Sequence, residues 1–162
     1  MKKFNPWYCL FVTIALLIVG FLVVKEIKMR NDYNKVDEDS QKKYLEYKGH
    51  LIYYEVRGNS KNTLLFIHGW TSNINSWKYQ FDSFPGYKVI AVDLPGHGKS
   101  SKNLAAEYTM ELFSDVVKAI LDKEKVEKSF LFGHSMGFAI SEVVCLKYPE
   151  LCVGIGSIDG AH

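Results

Sequence analysis

Apolar residues along this chain fall into two regimes. From Phe4 to Val24 no residue is charged, and Leu10 to Val24 is almost wholly aliphatic or aromatic. About 20 apolar residues span a bilayer as a helix, so residues 1–24 predict one transmembrane anchor. Lys2 and Lys3 precede the run, Lys25, Lys28 and Arg30 follow it, and Trp7 and Tyr8 stand where interfacial aromatics belong. A cleaved signal peptide competes with this reading. It needs a small-residue cleavage site, and the run ends Phe21-Leu22-Val23-Val24-Lys25 without one. Positive charge flanks both ends, so the orientation stays open. Residues 25–43 mix both charge signs with few apolar side chains and predict a charged linker.

From residue 44 the apolar runs become short. Tyr44 to Tyr47 and His50 to Val56, broken at Lys48-Gly49, predict an antiparallel hairpin at a sheet edge. Four further runs, Leu64 to Ile67, Val89 to Val92, Phe130 to Phe132 and Val153 to Ile158, do not alternate cleanly with polar residues. Continuous short runs fit strands buried on both faces, as in parallel sheets. Helical patterns lie between them. Ile74 to Phe84 is one. In Met110 to Leu121 a single apolar face combines with Thr109 as N-cap, and Met136 to Leu146 ends before Tyr148-Pro149. Alternating strands and helices predict an α/β fold: an open, mostly parallel sheet with flanking helices over residues 44–162, preceded by one transmembrane helix. In such sheets ligands sit at the carboxyl ends of the strands.

Composition narrows the function classes. The chain has 162 residues, 48% of them apolar, and a formal net charge of +2. That balance argues against a disordered chain and against a strongly basic nucleic-acid binder. Cys9, Cys145 and Cys152 are too few and too scattered for a disulfide scaffold or a zinc site. The five histidines show no metal-ligand spacing, so neither metal nor cofactor is expected.

The chemistry-bearing motif is Gly133-His134-Ser135-Met136-Gly137, a G-x-S-x-G placed directly after an apolar strand and before an apolar helix. A sharp strand-to-helix turn strains the serine backbone and lifts its hydroxyl clear of the sheet, while bulk at Gly133 or Gly137 would strike neighbouring backbone. The helix N-terminus then directs free N–H groups at the reacting centre. Ser135 is thus the candidate nucleophile and the N–H of Met136 half of an oxyanion hole. The turn His68-Gly69-Trp70 follows an earlier strand, and the N–H of Trp70 is the candidate second donor. His68 reads as a structural hydrogen-bonding residue rather than a base.

Together with Asp93-Leu94-Pro95-Gly96-His97-Gly98-Lys99-Ser100 and Tyr148-Pro149-Glu150-Leu151, these segments resemble the α/β-hydrolase fold family from about Tyr44 onwards. The resemblance implies a serine hydrolase acting on an ester or related small acyl compound, with Ser135 as nucleophile and Trp70 and Met136 as oxyanion donors. It implies that Asp93 and the Pro95–Gly98 turn shape the loop beside the pocket. Phe138 stands where the family usually has a small residue, which would narrow the acyl pocket. Family members place an acid and then a histidine after the serine. Asp159 is the one candidate acid here, with His162 three positions on, and no catalytic histidine is assigned. The expectation is therefore the N-terminal part of a hydrolase, a poor enzyme alone, since losing the triad histidine costs on the order of a million-fold in turnover. The alternative is a non-catalytic, membrane-tethered scaffold or binding protein that keeps the elbow as structure.

Overall fold

The computed structural model describes residues 14, 16–28, 40–81 and 83–159. Residues 14 and 16–28 are helical, and among the described residues no helix is long and apolar enough to cross a membrane. Most of the expected 1–24 anchor, and most of the 25–43 linker, lies outside the described residues. The remainder, from Ser40 onwards, forms a second compact unit.

That unit is a six-stranded sheet. Strand β1 is Gln41–Tyr47, β2 His50–Arg57, β3 Thr63–Ile67, β4 Lys88–Val92, β5 Ser129–His134 and β6 Cys152–Ile158. Their order is β1-β2-β4-β3-β5-β6. β1 begins three residues before the expected boundary at Tyr44, so the linker ends in a strand. The hairpin turns at Lys48 and Gly49, both with positive φ, and pairs β1 with β2 antiparallel. β2 is antiparallel to β4, while β4, β3, β5 and β6 run parallel.

Helices α1 (Met110–Lys123) and α2 (Met136–Lys147) cross between parallel strands. Thr109 caps α1 by accepting the N–H of Leu112 at 3.1 Å. Phe113, Val116, Val117, Ile120 and Leu121 pack with Ile140 and Val144 of α2 against Ile52, Tyr54, Leu65, Ile67, Ile90 and Val92. On the other face Phe66 is stacked on Phe132 at 5.3 Å and tilted against Trp77 at 5.0 Å. β3 is therefore buried on both sides, which explains why its sequence is an unbroken apolar run.

Two expectations are corrected. Ile74 to Phe84 is not an α-helix: Ile74–Trp77 is a single 3₁₀ turn followed by further turns. Its apolar residues are core residues even so, with Ile74, Trp77 and Phe81 buried. The Ile74 N–H is taken by Asp93 and that of Asn75 by the side chain of Asn73, and the backbone bonds that follow are mostly the short 3₁₀ kind, Ser76 N–H to the Asn73 carbonyl and Lys78 N–H to the Asn75 carbonyl among them. The second correction is a disulfide. Cys145, near the end of α2, and Cys152, the first residue of β6, are bonded with Cα atoms 5.3 Å apart.

β6 forms one edge of the sheet and carries exposed Val153, Ile155 and Ile158. Its glycines make room for aromatic rings on β5. A Cβ at Gly156 would lie 2.5 Å from the Phe132 ring.

Candidate active site

The chain passes from β3 to β4 on one side, then crosses back over β3 to β5 on the other. The carboxyl ends of β3 and β5 therefore flank the point where the winding reverses, the usual seat of a ligand. Ser135 stands there, between the last residue of β5 and the first of α2. Its φ is 50° and its ψ −118°, a combination that disfavours any residue with a Cβ and persists only when surrounding contacts enforce it.

Those contacts are between main chains. A Cβ on Gly133 would come within 2.2 Å of the Gly137 carbonyl carbon and the Phe138 nitrogen. A Cβ on Gly137 would come within 2.2 Å of the Ile67 carbonyl oxygen and 2.8 Å of that of His68. The first turn of α2 thus lies directly against both its own strand and the end of β3.

Ser135 is also exposed. Serine at a helix N-cap ordinarily spends its hydroxyl on an N–H of the first turn. Here it makes no such bond. The hydroxyl and the first N–H groups of α2 are both left for an incoming group, with the helix dipole favouring negative charge beside them.

The turn after β3 meets this elbow. A Cβ on Gly69 would lie 2.6 Å from Nδ1 of His134 and 3.2 Å from the His134 carbonyl oxygen, so the Gly69-Trp70 segment runs over the residue preceding the serine. Thr71, with φ of 57°, and the 3.2 Å bond from the Ser72 N–H to the Gly69 carbonyl bend the segment sharply. Trp70 is exposed.

His68 is fully buried. Its Nδ1 donates to the Gly69 carbonyl at 2.8 Å and its Nε2 accepts the Leu94 N–H at 3.1 Å. Burial pushes its pKa below the usual value. With both ring nitrogens engaged in the neutral form, it ties the β3 turn to the β4 turn and has no nitrogen left for proton transfer.

Asp93 performs the matching task after β4. One carboxylate oxygen accepts the Ile74 N–H at 2.7 Å, the other the Lys99 N–H at 2.7 Å. It is buried, and Gly98, at φ of 49°, approaches it so closely that any Cβ would overlap the carboxylate. Ser100 extends the latch, donating to the Asp93 carbonyl and accepting the Tyr53 N–H at 2.8 Å.

The loop so fixed carries His97. Its ring lies 5.7 Å from that of Trp70, edge-on, and 5.0 Å from that of His68. Gly96 and Gly98, on either side of it, both take positive φ and bend the loop at this point. Phe138 is buried within α2.

Asp159 is exposed, with φ of 51°, one residue beyond Ile158, which pairs with His134. It therefore occupies the register position beside Ser135. His162 lies outside the described residues. Among the described residues no histidine is hydrogen-bonded to the Ser135 hydroxyl, and no cluster of side chains is arranged to hold a metal ion.

A strained serine at the strand-to-helix elbow, framed by the β3 and β4 turns, defines a class of protein. Residues 62–161 match the family model described as the alpha/beta hydrolase fold, and the chain belongs to that family. Among curated relatives it is 36% identical over 112 residues to the dihydrolipoyllysine-residue acetyltransferase component of the acetoin cleaving system of Pseudomonas putida, covering 68% of this chain and 30% of that protein. It is 35% identical over 104 residues to a 2-hydroxy-6-oxononadienedioate/2-hydroxy-6-oxononatrienedioate hydrolase of Paraburkholderia phymatum, covering 61% of this chain and 36% of that one. Among solved structures, a membrane phospholipase A described as a bacterial virulence factor superposes with a TM-score of 0.73 at 27% identity, covering 99% of this chain and 53% of that chain. A carboxylesterase structure from Nitrososphaera gargenis superposes with a TM-score of 0.69 at 28% identity, covering 74% and 46%. The chain thus spans about a third of the length of the curated relatives and about half that of the solved structures. The relatives named as hydrolases support a hydrolase in general terms.

Proposed function

We propose that the chain carries the nucleophile half of a serine hydrolase acting on an ester or related small acyl substrate. The observation behind this reading is Ser135: exposed, held at φ 50° and ψ −118°, with its hydroxyl withheld from capping α2. Ser135 Oγ attacks the substrate carbonyl as its proton passes to a base. The carbonyl oxygen gains negative charge, which the N–H groups of Met136 and Trp70 receive. Collapse expels the alcohol, and water releases the acyl group. Asp159 is the candidate acid from its register position, and the base is left unassigned. No metal or cofactor enters this scheme.

We also propose that the apolar run 4–24 anchors the domain to a membrane. The uncharged stretch with flanking lysines supports this, as does the similarity, over nearly the whole chain, to a protein described as a membrane phospholipase A.

Ser135 has no histidine partner among the described residues, and that favours a second reading: a membrane-tethered scaffold or binding protein that keeps the elbow as structure. One experiment separates the two. A fluorophosphonate probe applied to the product of the complete reading frame labels Ser135 and spares a Ser135→Ala variant. Equal labelling of both chains, or of neither, rejects the catalytic assignment.

A further inference from the structure

The amino ends of the parallel strands, one strand length from Ser135, enclose a cleft of about 480 Å³. Five lysines and two glutamates line it. Its wall is a built charge cluster. Glu124 is nearly buried and is held by Lys43 at 2.9 Å, by Lys88 at 3.1 Å and by the Tyr54 hydroxyl at 2.8 Å. Two lysines share that one carboxylate, so the wall keeps an excess positive charge. At the rim stand Lys61, Lys125 and Lys128, all exposed. None of these seven residues takes part in the chemistry proposed for Ser135.

The cleft also begins where the chain enters the domain. Gln41, the first residue of β1, lines it. Residues 25–40 connect Gln41 to the apolar run ending at Val24. At ~3.5 Å per residue that connection reaches no further than about 60 Å. A cationic cleft at the root of a short tether lies within reach of whatever surface holds the run, and phosphate-bearing surfaces attract lysine clusters.

We infer that this cleft docks on the phosphate headgroups of anionic phospholipids, with the cluster around Lys61, Lys125 and Lys128 as the contact. The inference rests on the anchor proposed above. Docking by this end turns the carboxyl ends of the strands, and Ser135 with them, away from the bilayer.

The test uses the full chain reconstituted with phosphatidylcholine vesicles, with and without phosphatidylglycerol. Surface amines are labelled and read by mass spectrometry, with Lys78, exposed near the opposite end of the sheet, as internal control. The expected result is labelling of Lys61, Lys125 and Lys128 slowed about fivefold by the anionic lipid, Lys78 unaffected, and the effect reversed by high salt as screening requires. A Lys125→Gln, Lys128→Gln variant loses the slowing at Lys61. Flotation with both vesicle types but equal labelling overturns the docking and leaves the anchor standing. Failure to float with either overturns the anchor and the docking together. Equal slowing by inorganic phosphate with neutral vesicles replaces the lipid with a small soluble anion and overturns the assignment.

Discussion

The backbone at Ser135 stores energy that a single substitution can release. A residue with a Cβ held at φ 50° and ψ −118° costs on the order of 1–3 kcal/mol. Ser135→Gly removes the Cβ and the strain, while giving back roughly 0.5–1 kcal/mol of extra backbone entropy in the unfolded chain. The net expectation is a gain of about 1–2 kcal/mol. Ser135→Ala keeps the Cβ and loses only an exposed hydroxyl that caps nothing, so it stays within about 0.5 kcal/mol of the parent. For a chain of this size the glycine variant melts about 3–8 °C above the alanine variant, and neither reacts with a fluorophosphonate. Thermal unfolding of the three full chains in one buffer, followed by far-UV circular dichroism, measures the difference. Coincident melting of the glycine and alanine variants refutes the claim that the elbow is strained.

Three further outcomes follow from the same contacts. Gly137→Ala drives a methyl into the Ile67 carbonyl and lowers stability by about 2–4 kcal/mol. Gly49→Ala meets only open space and costs about 1–2 kcal/mol from its positive φ; a denaturant titration of both variants tests that ranking. Asp93→Asn places an amide N–H against the Ile74 or Lys99 N–H and costs about 2–4 kcal/mol, which chemical denaturation shows as a lower midpoint at unchanged slope. Acidification weakens the fold in two stages. His68 stays neutral in the folded chain below its ordinary pKa of 6.5, so the unfolded chain binds the extra proton and stability starts to fall as pH drops through 6.5. Burial works against the charge on Asp115, but Lys147, Tyr148 and Lys48 together hold its pKa at about 2, against 3.8 ordinarily. Its contribution is complete above about pH 4 and lost between there and pH 2. Unfolding free energy measured against pH shows both stages, and Asp115→Asn diminishes the lower one, to which Glu124 also contributes because, in spite of its burial, Lys43, Tyr54 and Lys88 lower its pKa.

The parts of the fold that were legible in the sequence are those set by local pattern. Burial on both faces makes β3 and β4 read as unbroken apolar runs, and the α1 periodicity survives because only one of its faces meets the sheet. The elbow was legible because its demands fall on adjacent residues: no Cβ at Gly133 or Gly137, a hydroxyl between them. What depends on distant partners was not legible. Ile74 to Phe84 has helical spacing, but Asp93, far along the chain, takes the Ile74 N–H. Cys145 and Cys152 become neighbours only because α2 lays its end beside the start of β6. His97 reaches Trp70 only because Asp93 and Gly98 fold its loop inward.

The glycine pair beneath Ser135 has a consequence for how the pocket can change over time. The serine's seat is carpentry in peptide planes, with Gly137 resting on Ile67 and Gly133 on Gly137. Side chains elsewhere along the rim can be exchanged without shifting the reactive oxygen. Lineages sharing barely a third of their residues can therefore retool what they accept while inheriting the same workbench.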